Sequence, residues 1–221
     1  MVLLYIQGES EGAQLGSADE REPARRESGG GGFPRHCAKS KNLKEDEMGL
    51  SEGLLAEFDQ EMVSARKTLE RIPEDKLAWK PHEKSMGLGR LAGHVAELPG
   101  LGVKVVEVDS LDFANRPPGQ KPLVAESQKH VLEIFDKNVE QLRKGIAATS
   151  DADWSKNWTL SAGEKKFYDG PRIGALRRMV MNHIIHHRAQ LGVYLRLNDV
   201  AFPGMYGPSA DETKFQAAGN S

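Results

Sequence analysis

Met181-Asn182-His183-Ile184-Ile185-His186-His187-Arg188-Ala189-Gln190-Leu191 sits inside a longer helical pattern. Leu176, Val180, His183, His187, Leu191 and Tyr194 follow one another at steps of three or four, which places them along one face of a helix. His183 and His187 therefore occupy inward positions of an otherwise apolar stripe. Residues four apart stack with Cβ atoms roughly 5–6 Å apart. That separation lets two imidazoles converge on one ion at the ~2.0–2.1 Å that a zinc–nitrogen bond requires. Two buried imidazoles without partners are costly, and an ion binding a lone pair on each removes the cost. The alternative is a pair hydrogen-bonded to side chains of neighbouring helices. His186, about 100° around the helix from His187, reads as a flanking residue.

Working backward, this helix opens at Gly170-Pro171, where proline suits a first turn. It runs to about Leu197, roughly 40 Å at 1.5 Å per residue, with Asn198 as its C-terminal cap. Before it, Trp154–Leu160 and Lys165–Tyr168 flank Ser161-Ala162-Gly163 as a small hairpin. A third helix is predicted over Leu123 to about Ala148, after a Pro- and Gly-rich loop at Asn115–Pro122. The second starts near Met86, with Leu88, Leu91, Val95 and Leu98 on one stripe and a kink or break at Pro99-Gly100. The first carries Leu55, Phe58, Met62, Ala65, Leu69 and Ile72, and Pro73 marks its end. Phe202–Pro208 closes the domain. Four amphipathic helices must bury their stripes against one another, so the fold class is all-α, a four-helix bundle.

His94 lies between Leu91 and Leu98 at helical steps, so it also faces the core. Three inward histidines on two helices, His94, His183 and His187, form a facial set that leaves coordination positions open for water or substrate. A zinc-protease helix would place a glutamate after its first histidine; here Ile184 follows His183, so no base is built in. Glu97, one turn beyond His94, and His82, in a connection, are candidates for a base or for a partner to a ligand. His36 and His130 read as solvated or structural.

Composition bounds the rest. The 221 residues carry a formal net charge of -2, which gives no basic footprint for a nucleic-acid partner. No apolar run approaches the roughly 20 residues of a membrane span, and Val2–Ile6 is too short for a signal-peptide core. A cytoplasmic protein is expected. Cys37, the one cysteine, makes no internal disulfide and reads as an incidental thiol. Residues 1–47 have the composition of a disordered tail, 48–213 form the metal-binding bundle, and 214–221 are a flexible C-terminus.

Trp79-Lys80-Pro81, Leu91-Ala92-Gly93-His94-Val95-Ala96-Glu97, His183 to Leu191, and Val200 to Ser209 with Tyr206-Gly207-Pro208-Ser209 together resemble the DinB/YfiT-like superfamily. The likeness covers about Gly49 to Glu212. It implies a four-helix bundle, often dimeric, with a metal held by one histidine of the second helix and two of the fourth. Those positions match His94, His183 and His187. It also implies a range of activities, including transferases that use low-molecular-weight thiols. The expectation is one divalent ion, zinc first, with nickel or iron as alternatives. The substrate is a small molecule such as a thiol, and the chain forms a homodimer. A hydrolase and a non-catalytic binding or stress-response module with a structural metal are the rival readings.

Overall fold

The computed structural model describes residues 49–117, 119 and 121–212. The expected tail 1–47, with His36 and Cys37, and the expected C-terminus 214–221 lie outside these residues. Four long helices pack in the bundle that the hydrophobic period requires. They are α1 (Leu50–Leu69), α2 (Leu88–Glu107), α3 (Gln128–Ala148) and a last helix from Arg172 to Leu197. The last helix has three parts: α5 (Arg172–Ala175), a wide π-helical stretch (Leu176–Met181) and α6 (Asn182–Leu197).

α1 buries Leu54, Phe58, Met62, Ala65 and Leu69. Leu54, rather than the expected Leu55, begins the inward stripe, and Leu55 packs at its edge. Ile72 is also buried, in the turn after the helix. α2 runs unbroken through Pro99. Proline removes one N–H from the helical ladder, and Asn138 of α3 donates to the nearby Ala96 carbonyl at 2.9 Å. That bond joins α3 to α2 beside the proline, and α2 continues where a kink or break was expected. Small residues bring α2 and α3 close: Gly102 meets the Leu142 side chain, and Gly145 meets Val106.

α3 begins five residues later than the sequence pattern suggested. Ser127 is its N-cap, its hydroxyl accepting from the His130 N–H at 3.0 Å. Val124, within the predicted span of this helix, is exposed in the preceding extended segment. A short α4 (Asp151–Ser155) takes up Trp154, which is fully buried and donates its indole N–H to Ser51 at 2.7 Å.

The expected hairpin is present as β2 (Asn157–Ala162) and β3 (Lys165–Pro171), antiparallel. Gly163 has φ 59°, the positive value that its two-residue turn needs. A third strand, β1 (Ser110–Asp112), adds in parallel to β2, giving the order β1-β2-β3. β3 extends through Pro171, so the last helix starts at Arg172. Arg172 is buried and ties that start to the end of α2. Its guanidinium donates to the Val105 carbonyl at 2.6 Å and to those of Val106 and Val108, and pairs with Asp109. At the other end Asn198 is the cap, and Asp199 adopts the left-handed φ of 57° that often ends helices. Among the described residues no helix is long and apolar enough to cross a membrane.

Candidate metal centre

His94 is presented by α2 and His183 and His187 by α6, all on the line where these two helices pack. His94 sits after Gly93, whose missing side chain lets the 121–126 segment lie against the helix. A Cβ there would fall 2.3 Å from the Leu123 carbonyl oxygen. That segment in turn bonds the residues around His94. Arg90 donates to the Leu123 carbonyl at 3.0 Å, and the Leu123 N–H donates to Glu97 at 2.7 Å. On the other side Trp79 packs edge-on against Tyr194 with centroids 5.5 Å apart, and the Tyr194 hydroxyl donates to the Met86 carbonyl at 3.2 Å. These contacts fix the entry of α2 against α6 and give the Trp79-Lys80-Pro81 motif its place.

The three rings form a near-equilateral triangle. Their centroids are 5.1 Å (His94–His183), 4.6 Å (His94–His187) and 4.6 Å (His183–His187) apart. One ligand atom from each lies within 4.8 Å of the others. His94 and His187 are buried and His183 half-buried. The structure thus brings together all three residues picked out from the sequence. His186 is exposed, its ring edge-on to that of His187 at 4.8 Å, and it stays outside the cluster. His82 is exposed in the connection between α1 and α2, with its Nδ1 accepting from the Lys84 N–H. His130 serves the start of α3. Neither takes part.

The electrostatics favour neutral rings. Burial, then the neighbouring His94, pushes His183 down to about 4 and His187 down to about 3. Burial also lowers His94, against an opposing pull from Glu97. The Glu97 carboxylate lies 3.8 Å from His94 Nδ1, ion-pair distance rather than hydrogen-bond distance, and 3.2 Å from Arg90. Burial works against its charge, but His94, the Leu123 N–H and Arg90 outweigh burial and hold its carboxyl below the ordinary range. Of the two residues offered as partners to the ligands, Glu97 is therefore at the site and His82 is not.

These residues fit a metal ion. His183 Nε2 and His187 Nε2 face each other at 2.8 Å, and His94 Nδ1 has no hydrogen bond. Neutral imidazole nitrogens are the donors that zinc, nickel and iron accept. Sequence reasoning missed Gln190, whose Oε1 lies 2.7 Å from His187 Nδ1. A polar residue three positions after an inward histidine was the available signal.

The DinB family model matches residues 46–218. The chain is similar to the uncharacterized protein YrdA of Bacillus subtilis, 22% identical over 160 residues, covering 72% of this chain and 89% of that protein. A solved DinB-like protein from Bacillus cereus superposes with a TM-score of 0.56 at 20% identity, covering 72% of this chain and 99% of the other. The DinB-like protein YjoA from Bacillus subtilis gives 0.54 at 17% identity, covering 71% and 99%. The likeness to the solved structures shows the shared bundle, and the match over residues 46–218 shows that this chain belongs to the DinB family.

Proposed function

We propose that the chain is a metal-dependent enzyme, with one divalent ion held by His94, His183 and His187 and a low-molecular-weight thiol as substrate, acting as a thiol S-transferase. The observation that supports this most is the count of ligands. Among the described residues the cluster contains three histidines and no fourth histidine, cysteine or carboxylate. A structural zinc site closes with four protein ligands, whereas a catalytic one keeps a position open. When bound, the ion supplies a lowered pKa for a thiol or water and can polarise a carbonyl.

The chain's own residues do the rest. The three rings stay neutral and keep their lone pairs available through the neutral range. Glu97, engaged by Arg90 and the Leu123 N–H, holds its charge beside His94. A carboxylate so well stabilised is a weak proton acceptor, which counts against a hydrolase that uses Glu97 as its base. A thiol ionises more readily than water, so a transferase depends less on such a base. A cytoplasmic setting, where small thiols are kept reduced, belongs to the same reading. So does a homodimer, for which exposed Val193 and Leu197 on α6 offer apolar surface.

The cobalt-substituted protein tests the proposal. Adding a small thiol is expected to produce a sulfur-to-metal charge-transfer band, and His94→Ala to weaken or remove it. If no common cellular thiol changes the cobalt spectrum at millimolar concentration, the transferase assignment is wrong.

A further inference from the structure

An imidazole offers one lone pair to an ion, and the position of its remaining hydrogen decides which nitrogen offers it. At His187 the outer nitrogen, Nδ1, lies 2.7 Å from Gln190 Oε1. An amide oxygen only accepts, so the hydrogen sits on Nδ1 and the lone pair on Nε2. Nε2 is the atom that faces His183 Nε2 at 2.8 Å. At His183 the Met179 backbone carbonyl accepts a hydrogen bond from the ring. At His94 no hydrogen bond fixes Nδ1; the Glu97 carboxylate lies 3.8 Å away. His187 is thus held from outside by a neutral side-chain amide.

Resting on the metal-dependent reading above, we propose that Gln190 is a positioning residue of the metal centre: its side-chain carbonyl holds His187 in the tautomer that presents Nε2 to the ion. Glutamine at this position has a second consequence. A carboxylate in the same place would make the imidazole a more basic ligand and pass more electron density to the ion. The neutral amide fixes the ring while leaving the ion more electron-poor, and so better able to acidify what binds at its open position.

The reading in which Gln190 is only a half-buried polar residue contacting its own helix makes different predictions. Two variants and two readouts separate them. In the metal-free wild-type protein, long-range proton–nitrogen spectra are expected to show His187 as the Nδ1–H tautomer. In Gln190→Leu, which removes the acceptor with little change of volume, the two tautomers should mix. Zinc affinity, read by competition with a chromophoric chelator, should fall about 10–100-fold in Gln190→Leu. Gln190→Glu restores an acceptor and should recover both the tautomer and at least wild-type affinity, a rescue that a purely structural role does not produce. Gln190→Leu equal to wild type in tautomer and affinity overturns the proposal, as does Gln190→Glu as weak as Gln190→Leu. A wild-type protein that takes up no zinc, although His187 holds the Nδ1–H tautomer, overturns the metal reading itself and is distinguishable from either result.

Discussion

His187 and Arg188 are neighbours in sequence, yet they belong to two buried clusters of opposite character. Arg188 pairs with the buried Glu61 carboxylate of α1 at 2.7 Å and donates to the Glu61 carbonyl at 3.1 Å. It also donates to the Tyr206 hydroxyl at 2.7 Å, which in turn donates to the Glu61 carboxylate at 2.9 Å. Charge cancels there, and donors meet acceptors. The histidine cluster has no such balance: three neutral rings converge, with lone pairs and no positive charge among them. A closed polar cluster holds its elements together, here α1, α6 and the segment after α6. An open one is costly until something from outside completes it.

The contrast can be broken most sharply at the open cluster. Metal analysis is expected to find close to one divalent ion per chain, and His183→Ala or His187→Ala to lose most of it. Full occupancy in both variants would show that the rings do not hold the ion. The closed cluster should answer in stability instead. Arg188→Met leaves the Glu61 charge buried and unpaired, at a cost of about 3–5 kcal/mol in denaturant unfolding, while the folded fraction keeps its metal. Loss of metal from folded Arg188→Met would mean that the two clusters are one.

Acid should separate them next. An unfolded histidine titrates near 6.5, while folded His183 and His187 titrate at about 4 and about 3. As pH falls below about 6.5 the unfolded chain binds protons that the folded chain refuses, so the metal-free protein loses stability. The loss levels off once the folded rings also protonate, near pH 3–4. Unfolding of the metal-free protein across this range should show the decline, and replacing both histidines with glutamine should flatten it. An unchanged slope in that double variant would mean that the acid sensitivity arises elsewhere.

Gly93→Ala is a smaller disturbance. The new Cβ meets backbone, the Leu123 carbonyl, so the segment must move, at about 1–3 kcal/mol. Thermal melting should record that cost, and chelator competition should show weaker zinc binding as His94 and Glu97 shift. His186→Ala, on an exposed ring, should leave metal content nearly unchanged. Loss of metal there, with retention in His187→Ala, would exchange the roles of the two residues.

The sequence shows the helices because burial repeats at the helical period, and it shows the histidines because a polar residue on an apolar stripe is conspicuous. It shows the hairpin because Gly163 marks the turn. Less legible features depend on partners far along the chain. Glu61 and Arg188 look like solvent-facing charges until the fold places them together with Tyr206. The bond from Asn138 to α2 beside Pro99 comes from a different helix, and β1 is three residues whose pairing is decided by β2. The late start of α3 was readable in part, since Ser127 is a good cap, but the apolar Leu123 and Val124 before it mimic a helical stripe.

The wide stretch Leu176–Met181 has a consequence for how this scaffold changes. There the Asn182 N–H reaches back to the Arg177 carbonyl, five residues away. Such a stretch is the trace of one residue inserted into an α-helix. Upstream, Arg172 clamps the helix to the end of α2; downstream, His183 and His187 face His94. One residue removed from this stretch can be absorbed by tightening it to a regular α-helix, which leaves both histidines on the α2 face; a residue lost or gained elsewhere between these anchors has no such slack and would turn the downstream half by about 100° relative to the clamp. In this bundle the wide stretch is therefore a store of one residue: it lets the length of the last helix vary by a single codon while the three histidines keep their common face.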